Sequence, residues 1–224
     1  MDRTLFLHST MSEVIVLFDG FSVMNGKDEM KANCSCTLIK GDHNIIVDTM
    51  TAWDSEKIID ALQKQNIRPD QINYVVSTHG HSDHIGNNNL FLNAKHIVGY
   101  SVSFKENYYA HAFDKGEEYI INSSVKLIPT PGHTLSDVTV LAVSKDADLV
   151  AITGDLFEKH EDIENPSIWL EAGSDDSVEQ IKNRYKVAQI ADWIIPGHGQ
   201  KFKVTEEVRE LLRRQAGDIF LVQK

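Results

Sequence analysis

Ser77-Thr78-His79-Gly80-His81-Ser82-Asp83-His84-Ile85-Gly86 follows directly on the strand-like run Ile72-Asn73-Tyr74-Val75-Val76. Three histidines and one aspartate fall within the six residues from His79 to His84. In an extended chain alternate side chains share a face, so His79 and His81 point the same way. Asp83 and His84 follow where the chain must turn, and they reach a second position nearby. Neutral imidazole and carboxylate together suit a borderline divalent ion such as zinc.

Matching residues return later, each closing an apolar run. His133 lies in Thr130-Pro131-Gly132-His133 after Val125-Lys126-Leu127-Ile128. Asp155 lies in Thr153-Gly154-Asp155 after Leu149-Val150-Ala151-Ile152, and His198 in Pro196-Gly197-His198-Gly199 after Trp193-Ile194-Ile195. A buried strand, a small or turn-forming residue and then one donor is the recurring unit. Glycine permits the tight turn and close backbone approach that a crowded site needs. A strand end often carries a polar residue for no chemical reason; the order of these donors argues otherwise.

On those residues the chain resembles the metallo-beta-lactamase superfamily, over roughly Leu38 to Lys203. The resemblance implies an αββα sandwich, with two mixed sheets flanked by helices. It implies two metal positions: His79, His81 and His133 at one, Asp83, His84 and His198 at the other, with Asp155 bridging. Asp48, closing Ile45-Ile46-Val47-Asp48, takes the place of an aspartate that holds the histidine loop by hydrogen bonds. Zinc, two ions per chain, is the expected cofactor, and iron or manganese would also fit His and Asp donors.

Such a centre defines a hydrolase. Two metals about 3.5–4 Å apart activate water near pH 7 and clamp a carbonyl or phosphoryl oxygen, so no serine or cysteine nucleophile is required. The sequence has no Gly-x-Ser-x-Gly elbow, phosphate-binding loop or dinucleotide fingerprint to compete for the role. Asp155 and Asp83 are the candidate catalytic carboxylates. Either Asp83 or water at the metals is left to protonate the leaving atom.

Composition agrees with an enzyme built as one domain over residues 1–224: 42% of the residues are hydrophobic, enough for a sizeable core. No apolar run approaches a membrane span of about 20 residues. The start, Met1 to His8, is too short and polar for a secretory signal, which points to cytoplasm or nucleus. Cys34 and Cys36 are spaced as on a strand and read as buried free thiols.

Strand-like runs come in two sets. The first is Val14 to Phe18, Cys34 to Ile39, Ile45 to Asp48 and Ile72 to Thr78. The second is Glu118 to Ile121, Val125 to Ile128, Val138 to Val143, Leu149 to Thr153 and Trp193 to Ile195. Helical periodicity marks Asp54 to Gln65 (with Ile58, Ile59 and Leu62 on one face), Ser177 to Ala191, and Glu206 to Gln215 behind a Thr205 cap. Periodicity alone gives only α/β or α+β.

The interval from Asp155 to His198 is too short for the cap domain of long-RNA-cleaving members. The tail after His198 is too short for the helical domain of glyoxalase II-like thioesterases. A closer resemblance is to a short, uncapped, intracellular branch associated with endonucleolytic processing of replication-dependent histone pre-messenger RNA. It rests on Val14 to Val23, His84-Ile85-Gly86-Asn87, Gly154-Asp155-Leu156-Phe157-Glu158, Ile195 to Gly199 with Phe202, and Glu161-Asp162-Ile163-Glu164 before Trp169. The expected activity is therefore an endoribonuclease with RNA as partner. A thioesterase or other ester or lactam hydrolase is the alternative, and a non-catalytic metal-binding protein a third reading.

Charge cuts against RNA. The net charge is −11, from 22 basic and 33 acidic residues, whereas nucleic-acid binders usually carry a basic patch. Lys182, Arg184 and Lys186 form one small basic set, and Arg209, Arg213 and Arg214 another; a solvated helix face is the ordinary reading of both. Tyr100 to Lys115, with Phe104, Tyr108, Tyr109, His111 and Phe113, offers rings that stack bases or pack on the body. Phe157 to Asp176, with His160, Pro166 and Trp169, is expected to border the site or seal a homodimer. His8, His43, His96, His111 and His160 lack donor spacing.

Overall fold

Hydrophobic runs bounded by turn residues become the strands of two sheets. The structure, a computed structural model, describes residues 11–27 and 29–222. The readings of Met1 to His8 lie outside the described residues. The first half gives β1 (Glu13–Phe18), β2 (Phe21–Met24), β3 (Met30–Asn33), β4 (Cys36–Lys40), β5 (Ile45–Val47), α1 (Ser55–Lys64), β6 (Tyr74–Ser77), α2 (Ser82–Ile85), β7 (Lys95–Val98), β8 (Ser101–Phe104) and β9 (Asn107–Tyr109). The second gives β10 (Tyr119–Ile120), β11 (Val125–Pro129), β12 (Val138–Val143), β13 (Leu149–Gly154), α3 (Ser167–Ala172), α4 (Ser177–Ile190), β14 (Trp193–Pro196), β15 (Phe202–Lys203) and α5 (Glu206–Val222).

Seven strands pair in the order β1-β4-β5-β6-β7-β8-β9, six in the order β10-β11-β12-β13-β14-β15, and β2 with β3 forms a separate hairpin. Alternation along each strand sorts the apolar residues into three layers. Ile45, Val47, Val76 and Ile97 of the first sheet meet Leu127, Val140, Ile152 and Ile195 of the second. On the outer face of the first sheet, Leu38, Ile46 and Val75 cover Ile58 and Leu62 of α1. On the outer face of the second, Leu141, Ala151 and Ile194 meet Val187 and Ala188 of α4 and Val208 and Leu212 of α5. Burial on both faces is why these strands read as continuous apolar runs. The result is the αββα sandwich.

Helix starts follow capping chemistry. Asp176 accepts from the N–H groups of Val178 (3.1 Å) and Glu179 (3.0 Å) at the head of α4. Thr205 Oγ1 accepts from Val208 N–H at 3.3 Å before α5. Cys34 and Cys36 are free and buried, and burial pushes both thiol pKa values up. No helix among the described residues is long and apolar enough to cross a membrane.

Three expectations need correction, for Ile59, Trp169 and Arg184, and packing on the body is borne out for Phe113. Ile59 is exposed on α1, so the buried stripe is Ile58 and Leu62 alone. The segment Tyr100 to Lys115 carries β8 and β9, and Phe113 is core, stacked between Tyr100 and Tyr119. Of its rings only Tyr108 and Tyr109 are exposed large side chains. Trp169 is buried as well, its ring 5.3 Å from the Arg184 guanidinium. Arg184 belongs to no basic surface: it is 0% exposed and paired with Asp162, Nη2–Oδ1 2.5 Å and Nη1–Oδ2 3.0 Å. Arg209 is spent on the carbonyls of Ala188 and Ala191 at the end of α4, and Arg213 and Arg214 both pair with Glu210.

Candidate metal centre

Strand direction decides where the donors collect. β5, β6 and β7 run parallel, as do β13 and β14. Asp48 leaves the carboxyl end of β5, His79 to His84 that of β6, Asp155 that of β13 and His198 that of β14. Ligands in α/β sheets gather at such ends. His133 arrives from the turn after β11. The sheets are joined here by Val138 N–H donating to the Thr78 carbonyl at 2.9 Å. They press so close that a Cβ on Gly154, which sits at φ +52°, would collide with Thr78 Oγ1. A Cβ on Gly197 would strike Asp155 Oδ1.

All seven predicted donors come together, in two sets whose ligand atoms lie within 4.8 Å of one another: His79, His81, His133 and Asp155 in the first, Asp83, His84 and His198 in the second. In the first set His81 Nδ1 stands 3.0 Å from His79 Nε2 and 3.1 Å from His133 Nε2. Asp155 Oδ2 is 3.6 Å from His79 Nε2 and 3.4 Å from His133 Nε2. Asp155 also reaches the second set: Oδ1 is 3.2 Å from His84 Nε2, and Oδ2 is 3.3 Å from His198 Nε2. Asp83 Oδ2 lies 3.9 Å and 3.7 Å from those two nitrogens. His81 is exposed and Asp83 half-buried, so the centre opens on that side.

The donor set fits divalent ions. Nitrogens held about 2.0–2.1 Å from a tetrahedral ion are about 3.4 Å apart, close to the spacings found. His84 Nε2 and Asp155 Oδ1 stand 3.2 Å apart, buried and with no hydrogen-bond partner. Such orphans are rare unless something else satisfies them. The outward ring nitrogens are already engaged, which turns the other nitrogen of each ring inward as the free donor. His133 Nδ1 faces the Gly173 carbonyl at 2.8 Å, His198 Nδ1 the Asn33 carbonyl at 3.1 Å, and His84 Nδ1 the carboxylate of Asp48 at 3.0 Å. Asp48 further accepts from Thr78 N–H at 2.8 Å and from Thr78 Oγ1 at 3.0 Å. Its backbone at φ 56° is left-handed, a conformation aspartate tolerates better than most residues.

Electrostatics point the same way. Burial opposes charge on Asp155, but His84, His198 and His79 outweigh it and hold the carboxyl well below the usual range. Burial is the largest influence on His84 and His198 and disfavours their charge, but Asp155 with Asp48 raises His84 overall, and Asp155 with Glu158 holds His198 up at about 9. Burial pushes His79 and His133 down. The pocket is thus arranged around positive charge, which protons supply when no metal does.

Sequence reasoning missed three contributors. Thr78 joins His79, His84 and Asp48 through one hydroxyl, at 3.2, 3.4 and 3.0 Å. Asn33, at the end of the unforeseen β3, supplies the carbonyl behind His198. Glu158 is buried beside Asp155 and His198, and burial followed by the Asp155 charge pushes it up to about 8. Thr78 could have been found as the residue leading the histidine loop; nothing in spacing marks Asn33 or Glu158. A groove of about 900 Å³ lined by Ile59, Ile67, Leu90 and Leu92 lies behind α1. Its residues Ile67 to Gln71 precede β6, whereas the donors follow it, so it sits at the opposite edge of the sheet.

A sandwich of this topology with a His-x-His-x-Asp-His loop and three later donors defines the class: the chain belongs to the metallo-beta-lactamase superfamily, whose profile matches residues 31–221. It is 38% identical over 193 residues to metallo-beta-lactamase domain-containing protein 1 of Xenopus laevis, covering 85% of this chain and 81% of that one. The mouse protein of the same name is 36% identical over 165 residues, covering 73% of this chain but only 62% of its own length. Among solved structures, a candidate metallo-beta-lactamase of Thermotoga maritima superposes with a TM-score of 0.64 at 23% identity, over 86% of this chain and 99% of that one. The chain is accordingly a metallo-hydrolase of that fold, with His/Asp clusters fit for divalent ions.

Proposed function

We propose that the protein is a dinuclear zinc hydrolase that cleaves RNA phosphodiesters, as an endoribonuclease in histone pre-messenger RNA 3′-end processing. The hydrolase rests on one observation: two donor sets share the buried Asp155. His79, His81 and His133 would hold the first ion, Asp83, His84 and His198 the second, and Asp155 would serve both. Bound there, divalent ions would supply an activated water and polarise a phosphoryl oxygen. The chain's own residues orient and exclude. Asp48, Gly173 and Asn33 fix the imidazole rings from behind, so the donors need no reorganisation when substrate arrives. Asp83, on the open side, is the carboxyl that can exchange a proton with water and pass it to the leaving oxygen.

RNA as the substrate is supported by the resemblance to the short, uncapped branch, and the centre is reachable from solvent at His81 and Asp83. A specific observation favours a second reading, an acyl thioester or ester. Phe21, Val23, Met24 and Met30 are exposed on the β2–β3 hairpin, whose Asn33 end touches His198. Apolar groups there suit an acyl chain better than a phosphate backbone. Incubating zinc-loaded protein with a labelled histone pre-messenger RNA 3′ end and, separately, with a panel of acyl thioesters decides. Cutting at a defined site, abolished by Asp155→Ala and by chelation, is the expected result. Intact RNA alongside thioester turnover would transfer the assignment to the second reading.

A further inference from the structure

Glu158 is a buried carboxylate that neither donor set uses. Only 2% of the residue is exposed. Its backbone is committed: the N–H donates to Asp162 Oδ2 at 2.7 Å, and the carbonyl accepts from His198 N–H at 2.7 Å. Its side chain is not. Among the described residues no group donates a hydrogen bond to its carboxylate, and no basic nitrogen stands within ion-pair distance. One of its oxygens instead lies within 4.8 Å of the donor atoms of both Asp155 and His198.

A buried carboxylate without a partner is costly, and proteins resolve the cost with a hydrogen bond, a cation or a metal. The nearby arginine is not free for it. Arg184 is held by both oxygens of Asp162 and by the Leu156 carbonyl at 2.9 Å. Glu158 stands on the metal side, beside Asp155 and His198, where Asp155 Oδ1 and His84 Nε2 are buried and unsatisfied. We infer that Glu158 is a further carboxylate ligand at the second metal position, on the side of Asp155 and His198. The inference rests on the dinuclear reading above. It makes the two positions chemically unequal: three imidazoles and a shared carboxylate at the first, two imidazoles and several carboxylate oxygens at the second. Oxygen-rich sites favour harder ions, so manganese or ferrous iron competes better at the second position than at the first.

The test is a cobalt titration with a competing chelator, read by cobalt absorption and by ions bound per chain. It is run on the wild-type chain, Glu158→Gln, Glu158→Asp and the surface control Glu161→Gln, with circular dichroism to verify folding. Wild type and the control are expected to take up two ions. Glu158→Gln, which keeps shape without charge, and Glu158→Asp, which keeps charge without reach, should both retain the first ion. Each should bind the second at least about tenfold more weakly, with an altered absorption spectrum. Unchanged affinity and spectrum in both variants, or a loss confined to one of them, would overturn the assignment. Uptake of fewer than two ions by the wild type would instead bring down the dinuclear reading beneath it.

Discussion

Asp155 touches four imidazoles, with distances of 3.2 to 3.6 Å to His84, His198, His133 and His79. Removing it deprives both positions of a ligand at once, so Asp155→Ala should lose the paired metals and all hydrolysis while the sandwich still folds; metal analysis and circular dichroism check this. Asp48 acts one bond further out. Replacing it with asparagine leaves one acceptor where Thr78 and His84 now use two, and a weakening of metal binding by about 10–100-fold is expected from competition with a chelator. Asp137 illustrates a different residue-scale effect. It accepts from Thr134 N–H at 2.7 Å and Oγ1 at 2.6 Å, closing the turn that carries His133, yet burial pushes its carboxyl up to about 7. Its folded pKa lies above an unfolded value near 4, so the folded protein binds the extra proton between the two. This contribution is full below about pH 4 and is lost as pH rises through about 7. Denaturant midpoints across that window should fall, and Asp137→Asn should flatten the slope.

Elements differ in how plainly the sequence announces them. β11 to β14 lie between two covered faces, so Val138 to Val143 is buried at every position and reads as a strand without ambiguity. β2 and β3 stand off the body with Phe21, Val23, Met24, Met30 and Lys31 in solvent, and no burial pattern betrays them. β8 and β9 end the first sheet and mix Ser101, Ser103 and Asn107 with aromatic residues, which in sequence looks like a loop. The donors were legible because each follows an apolar strand. Glu158 and Arg184 were not, since a charged residue on a loop or helix reads as solvated until its burial is known. Two substitutions test this layer. Gly197→Ala adds a methyl group against Asp155 Oδ1, so it should disturb metal uptake more than stability. Arg184→Met strands Asp162, and the loss of one partner from a buried pair should cost about 3–5 kcal/mol in denaturant unfolding.

At the scale of the molecule, the sandwich brings the carboxyl ends of β5, β6, β13 and β14 to one edge and leaves that edge open beside His81. Its surface remains acidic at a net charge of −11; Arg184 and Arg209 are committed to internal partners, and the exposed Arg213 and Arg214 share Glu210. RNA bound here would gain little from counterion release. The logarithmic slope of KM against salt should stay shallower than about 2, equivalent to fewer than about three phosphate contacts. A steep slope would reveal a basic surface that these pairings do not leave. Everything proposed for the chain depends on the paired centre, so the direct measurement is the number of ions held per chain. Protein equilibrated with zinc, passed through a desalting column and analysed for metal should carry two ions, and Asp155→Ala should not. One ion or none in the wild type, or two in the variant, would contradict the account.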